Sequence, residues 1–366
     1  MNNHVTVLEI DKSALLFNLS FFKQKLKPTT KILVVVKAFG YGSDAAMVAK
    51  SIENEVDYFA VAYTNEGIAL RAEGITKPIL VLHPQIQNLD KVIEYRLEPN
   101  LYNFKIFDQF VNICEQKRQV DYPVHLKFNT GLNRIGFWHT DIPELLSKIK
   151  ETNSLFIASL FSHLAASEDL EEKEFTQNQI NDFEFIAKQM QEQLLKKPFL
   201  HLLNTSGIIN YPEAQFDMVR LGIGLYGFAN EAKSTQQLKN VLSLKSIISQ
   251  IHLIEPDESV GYNRAFIASK PMKTATIPIG HADGFCREFG NSNGLVYIHN
   301  QPAPVVGNVC MDMIMVDITH IDCAEGDEVV IFDSQEKLET LALKTNTISY
   351  EILTSLSQRI KRLFKN

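Results

Sequence analysis

A chain of 366 residues, 45% hydrophobic and 22% charged, has room for a large core and reads as two globular domains, not as a disordered or fibrous protein. Its formal charge of −7, with Lys and Arg scattered along the chain, excludes a basic surface for nucleic acid. No apolar run approaches the roughly 20 residues of a membrane span, and the stretch MNNHVTVLEIDKSALLFNL lacks the basic and apolar regions of a signal peptide.

The first strong signal is Lys31–Gly42, KILVVVKAFGYG. Five apolar residues lead straight into Lys37, which predicts a fully buried strand over Ile32–Lys37. An ammonium at the inner end of such a strand is costly to desolvate, so it is paired, chemically engaged, or emerging into solvent where the strand ends. A desolvated lysine has a depressed pKa, which suits it to Schiff-base chemistry with a carbonyl. Further apolar runs follow at Tyr58–Tyr63, Ile79–His83, Pro99–Tyr102, Val124–Asn129, Phe156–His163, Phe199–Asn204 and Met218–Gly224. Between them lie segments of helical period, among them Asp44–Glu53, Asn65–Glu73, Phe104–Gln116 and Glu171–Leu195. Eight strand–helix repeats over about 200 residues predict an α/β fold of the (β/α)8 TIM-barrel type. An open doubly wound sheet is the alternative, but it has fewer strands as a rule and a Gly-rich first turn, which is missing from this sequence.

A barrel carries its catalytic residues at the C-terminal ends of its strands. Lys37 ends the first run, Arg134 follows the fifth, His163 ends the sixth, Asn204 the seventh, and Arg220 sits on the eighth. In MVRLGIGLYG, Gly222 and Gly224 let backbone amides approach an anion. Asn204-Thr205-Ser206-Gly207 predicts the start of a short helix whose amides and hydroxyls suit a phosphate. Taken singly, that stretch also reads as an ordinary helix cap, and the glycines as relief for packing. A lysine beside a phosphate cradle suggests pyridoxal phosphate (PLP).

Past a polar stretch, Ala229–Gln237, that reads as a linker, strands follow without intervening helices: Leu242–Ile254, Thr274–Ile279, Leu295–His299, Pro304–Val306, Ile314–Ile318 and Val329–Ile331. The expectation is a mainly antiparallel β domain over 231–366 after a barrel over 1–230, closed by a helix from Tyr350 to Phe364. Cys114, Cys286, Cys310 and Cys323 are widely spaced with no metal-ligand pattern, which fits a reduced cytoplasmic enzyme without a metal.

The motifs VVVKAFGYG, HLKFNTGLNRIGF, HLLNTSG, MVRLGIGLYG, GYNRAF, IPIGHADG, GNVCMD and YEILT, in this order and over nearly the whole chain, resemble those of the alanine racemase family. The resemblance implies a homodimeric, PLP-dependent enzyme that interconverts L- and D-alanine and supplies D-alanine for peptidoglycan. Lys37 would hold PLP covalently and act as the base on one face of the substrate. Tyr262, from the β domain of the partner chain, would act on the other. Tyr41, Thr205, Gly222 and Ile223 would bind the phosphate, with His163 and Asn204 beside the cofactor and Tyr350 lining the entrance. Arg220 would face the pyridine nitrogen and, because an arginine keeps its proton, leave that nitrogen unprotonated. Arg134 and the backbone amide of Met311 would hold the substrate carboxylate. Lys127 matches a position at which many members carry a carbamylated lysine. His281 stands where the family has tyrosine, Asn308 where arginine is common, and Phe39-Gly40 replaces a smaller pair. These departures leave open a serine or broad-specificity racemase. A non-catalytic PLP-binding barrel would lack the domain carrying Tyr262 and Met311, and a decarboxylase of similar architecture would need motifs of its own.

Overall fold

The computed structural model describes residues 5–229 and 232–366. Strand β1 (Val7–Asp11) comes first and leads into a helix, Lys12–Lys23, whose first turn is capped by the Asp11 carboxylate accepting from the Ala14 amide at 2.9 Å. Eight strands then pair in order as a closed parallel barrel: β2 (Lys31–Val35), β3 (Tyr58–Val61), β4 (Ile79–Val81), β5 (Glu98–Leu101), β6 (Tyr122–Lys127), β7 (Leu155–Phe161), β8 (Phe199–His201) and β9 (Met218–Leu221). Closure is made by β2, whose Leu33 lies level with Tyr58 on one side and with Arg220 on the other. Helices cover the outer faces while side chains fill the inside, so the strands are mainly apolar, with a few polar residues in β5 to β9. In β4 every residue is buried.

The first strand is shorter than the sequence predicts. It stops at Val35, because Ala38, Phe39, Gly40 and Tyr41 all have positive φ, from 52° to 64°. With Gly42 at 81° the run is five consecutive left-handed residues, three of them not glycine, and it is costly. Glu66 offsets part of that cost by accepting the Ala38 amide at 2.7 Å. Lys37 is therefore presented at the entry to a left-handed turn.

The second part of the chain is built on a nine-stranded sheet. Its strands are β10 (Leu242–Ile247), β11 (Gln250–Ile254), β14 (Met272–Ile277), β15 (Leu295–Ile298), β16 (Gln301–Val306), β17 (Ile314–Asp317), β18 (Glu328–Phe332) and β19 (Lys361–Lys365), together with β1. A small ribbon, β12 (Ser259–Val260) with β13 (Phe266–Ile267), stands apart. Pairing is antiparallel except between β1 and β19. The run expected over Leu242–Ile254 is two strands, interrupted at Ile248-Ser249. The closing helix expected over Tyr350–Phe364 is corrected as well: a helix covers Ser349–Ser355, and the end of the chain is β19. In KRLFK the backbone is extended so that it can pair with β1, an open edge in need of a partner. Arg362 secures this return, donating from Nε to the Gly42 carbonyl at 2.9 Å, at the end of the left-handed turn. Of the expected linker, residues 230 and 231 lie outside the described residues, and Ala232–Thr235 form a short helix. One continuous apolar core joins the barrel to most of the sheet. Among the described residues no helix is long and apolar enough to cross a membrane, and no group of His, Cys, Asp or Glu could hold a metal ion.

Candidate active site

At the C-terminal ends of the barrel strands is a cavity of about 190 Å³ lined by Lys37, Tyr41, Lys127, Arg134, His163, Asn204, Thr205, Arg220, Gly222, Ile223 and Tyr350. Val35, Leu82, Ile135 and Phe161 complete the wall. Most barrel residues singled out from the sequence are thus brought to one place, whereas Ser206, Gly207 and Gly224 do not line the cavity. Four basic side chains and a histidine face the cavity, and no carboxylate lines it.

The charges act on one another. Burial lowers the pKa of Lys37, Arg134 lowers it further, and Glu66 works against both. Lys127, 4% exposed, is pulled down to about 7 by desolvation and by Arg220 and Arg134. Phe161 offers its ring to both neighbouring cations, 5.2 Å from Lys127 Nζ and 5.5 Å from the Arg220 guanidinium. Arg220, lowered to about 9 mainly by burial, remains a cation at neutral pH. Its Nη1 donates to the His201 carbonyl at 3.2 Å, and its Nη2 to the carbonyls of Ser162 and Leu202, both at 2.8 Å. Nη2 also lies 3.0 Å from His163 Nδ1. A guanidinium only donates, so Nδ1 accepts and the His163 proton is on Nε2. Desolvation, followed by Arg220, keeps this imidazole neutral by driving its pKa well below the ordinary value.

On the opposite wall the predicted short helix is present as Thr205–Asn210, with Asn204 Oδ1 accepting the Gly207 amide at 2.9 Å. Thr205 Oγ1 receives the amides of Gly222 and Gly224 at 3.3 and 3.2 Å, so hydroxyl and amides converge. Gly222 is required there, because a Cβ would come within 2.7 Å of the Tyr41 hydroxyl. Burial raises the pKa of Tyr41, leaving that hydroxyl a neutral donor. Together these groups form a compact cradle for an anion.

Tyr262 and Met311 are elsewhere. Tyr262 is 73% exposed in the turn after Gly261, and Met311 is 59% exposed; both line an open depression on the β sheet with Met313 and His252. Within one protomer they do not join Lys37. Asn308 donates to the Tyr262 carbonyl at 3.2 Å and so steadies its turn. His281 is exposed and donates its amide to the Cys310 carbonyl, next to Met311.

Two supporting residues escaped the sequence reading. Glu66 accepts the amides of Ala38, Ala62 and Tyr63; its signal was a glutamate in the third position of the helix Thr64–Ala72. Arg359 bridges Asp283 (2.6 Å) and Asp312 (2.7 Å), tying the IPIGHADG turn to the Met311 loop, and nothing local in the sequence marks it.

Family models for the N-terminal and C-terminal domains of alanine racemase match residues 10–230 and 241–364. Alanine racemase 2 of Caldanaerobacter subterraneus subsp. tengcongensis is 32% identical over 369 residues, covering 98% of this chain and 94% of the relative. The structure of alanine racemase from Clostridium difficile 630 superposes with a TM-score of 0.93 at 34% identity, covering 100% of this chain and 97% of that one. That of the Bartonella henselae alanine racemase with covalently bound pyridoxal phosphate does so at 0.88 and 30% identity, covering 99% of each chain. Both parts of the molecule are matched over most of their lengths, and the chain belongs to the alanine racemase family.

Proposed function

We propose that this protein interconverts L- and D-alanine with PLP seated in the barrel cavity, and that Lys37 and Tyr262 are its two acid–base groups. The observation that carries the reading is the lining of the cavity: four basic side chains, no carboxylate, and a hydroxyl–amide cradle at one end. That donor set fits a phosphate together with an anionic ring oxygen and a substrate carboxylate. PLP held by these residues would supply an electron sink that makes the substrate Cα proton removable.

Each residue's part follows from its environment. Tyr41, Thr205, Gly222 and Ile223 hold the phosphate, with the Gly222 amide shared with Thr205 Oγ1, and Asn204 caps the helix that presents Thr205. Lys37, its pKa lowered by burial and by Arg134, is the base for one face of Cα. Arg220 keeps its own proton and would offer the ring nitrogen the N–H not spent on its protein contacts, which would temper electron withdrawal and disfavour transamination. Arg134 and the Met311 amide hold the carboxylate, His163 supports the network, and Tyr350 narrows the entrance. Lys127, poised near 7 between two arginines, suits carbamylation by CO2: the neutral amine adds to carbon and one proton leaves to solvent.

The second base implies a homodimer. Tyr262, Met311, Met313, Ile267 and Leu253 are all exposed in one protomer, and a second copy laid over this surface supports a site shared between chains. Provision of D-alanine for peptidoglycan in the cytoplasm is the accompanying role. His281 in place of the family's tyrosine favours a second reading, turnover of serine beside alanine, through a wider and more polar corridor.

The test is incubation of the enzyme with PLP and a panel of L-amino acids, scored for D-product by chiral chromatography. D-alanine formation that disappears in Lys37→Ala is expected. Absence of D-product from every amino acid would overturn the reading, and borohydride-fixed PLP on another lysine would overturn the role of Lys37.

A further inference from the structure

Beneath the cavity a row of polar side chains crosses the barrel interior from Arg220 to a carboxylate at the opposite end. Arg220 Nη1 lies 2.9 Å from His201 Nδ1, and His201 Nε2 lies 2.9 Å from Ser159 Oγ. Ser159 Oγ lies 2.6 Å from His125 Nδ1, and His125 Nε2 lies 2.8 Å from a carboxylate oxygen of Glu98, the first residue of β5. Ser159 and His201 are fully buried, and His125 is 1% exposed. Each member comes from the next barrel strand in sequence, β5 to β9.

The identity of the two ends dictates where every proton sits. Arginine can only donate, so His201 Nδ1 accepts and its proton is on Nε2. His201 cannot take a second proton, because desolvation and Arg220 drive its pKa far down. Its Nε2–H therefore donates to Ser159 Oγ. The serine hydrogen then goes to His125 Nδ1, which must be bare, and the His125 Nε2–H goes to the Glu98 carboxylate. A doubly protonated His125 would donate from Nδ1 as well, leaving the buried serine hydrogen without an acceptor, which is costly. Glu98 receives the Tyr58 hydroxyl too, whose pKa burial raises, and faces Arg71 and Tyr122. All four bonds thus point from the active site towards Glu98.

We propose that Glu98 is a positioning residue for racemisation: it terminates a one-way hydrogen-bond chain that holds His201 in the Nε2–H tautomer and so fixes the Arg220 guanidinium in the cavity. The proposal rests on the functional reading above for the role of Arg220. Without an acceptor at position 98, His125 is free to carry its proton on Nδ1. Ser159 then turns its hydrogen to His201 Nε2, and His201 must place its proton on Nδ1, against an Arg220 N–H. Donor facing donor displaces the guanidinium. Gln at position 98 still offers a carbonyl oxygen to His125 and an amide hydrogen to the Tyr58 hydroxyl, so the direction survives.

The test is 15N-histidine NMR on the full-length protein, with His125 and His201 assigned by single replacement, alongside alanine kinetics of the PLP-loaded enzyme. In the wild type both rings are expected neutral with the proton on Nε2 at pH 7. In Glu98→Leu an Nδ1–H population of His201 is expected, with kcat reduced about tenfold and KM within about twofold. Glu98→Gln should restore both readouts. Ser159→Ala interrupts the chain with Glu98 intact and should lower kcat likewise; it decides the matter should the leucine variant not fold. A doubly protonated His125 in the wild type overturns the proposal, as does wild-type kcat in either interrupted variant. If no form of the protein racemises alanine, the functional reading fails, while the tautomers still report on the chain.

Discussion

Lys127 offers the most quantitative test of the site. With its pKa at about 7, about half of its side chain is the neutral amine at pH 7, whereas an ordinary lysine titrating at 10.5 is neutral to less than about one part in a thousand. The gap corresponds to about 5 kcal/mol of interaction that disfavours the ammonium in the folded state. Because the folded pKa is lowered, the unfolded chain binds more protons between pH 7 and 10.5, so stability rises with pH across that window; below 7 the full penalty is present. Lys127→Met removes the group, and its stability should lose that slope, about 1.4 kcal/mol per pH unit relative to wild type. The direct assay is NMR of protein carrying 13Cε-lysine in CO2-free buffer, with the variant identifying the signal. A titration midpoint near 7 is expected. Addition of 13C-bicarbonate should then produce a carbamate carbon that the variant lacks, since a carbamate converts an isolated buried cation into an anion between Arg134 and Arg220. A midpoint above 9, or no bicarbonate-dependent carbon at Lys127, would refute the electrostatic reasoning.

Three further outcomes are expected. Lys37→Ala and Tyr262→Phe, each inactive alone, should regain activity when unfolded together and refolded as a mixture, because one site of each mixed dimer is then intact; heterodimers confirmed by mass but inactive would show that the residues do not meet across chains. Arg220→Glu should slow racemisation at least ~10-fold and change the absorbance of the bound cofactor, by allowing the ring nitrogen to be protonated; wild-type rate and spectrum would remove Arg220 from that nitrogen. His281→Tyr should lower the ratio of kcat/KM for serine over alanine, and an unchanged ratio would exclude His281 as a determinant of specificity.

The periodic part of this molecule was legible in the sequence. Strands of a parallel barrel are buried on both sides, so most read as mainly apolar runs whatever their neighbours are. The helix cap at Asn204 and the glycines of MVRLGIGLYG are local signals of the same kind, because the chemistry that requires them lies within a few residues. What distance in the chain conceals was decided by tertiary structure alone. The left-handed turn after Lys37 depends on Glu66 and on Arg362, far along the chain, and no local preference would make Ala38 and Phe39 adopt it. The last residues form a strand because β1 offers an edge, although a helix ends at Ser355, only a turn before them. Polar residues in β5 to β9 look anomalous one at a time; only closure of the barrel turns them inward together, where each buried donor must find an acceptor. Local patterns determined which segments become strands and helices, while the charges and hydrogen bonds that make a site out of them exist only once segments remote in sequence share a low-dielectric interior.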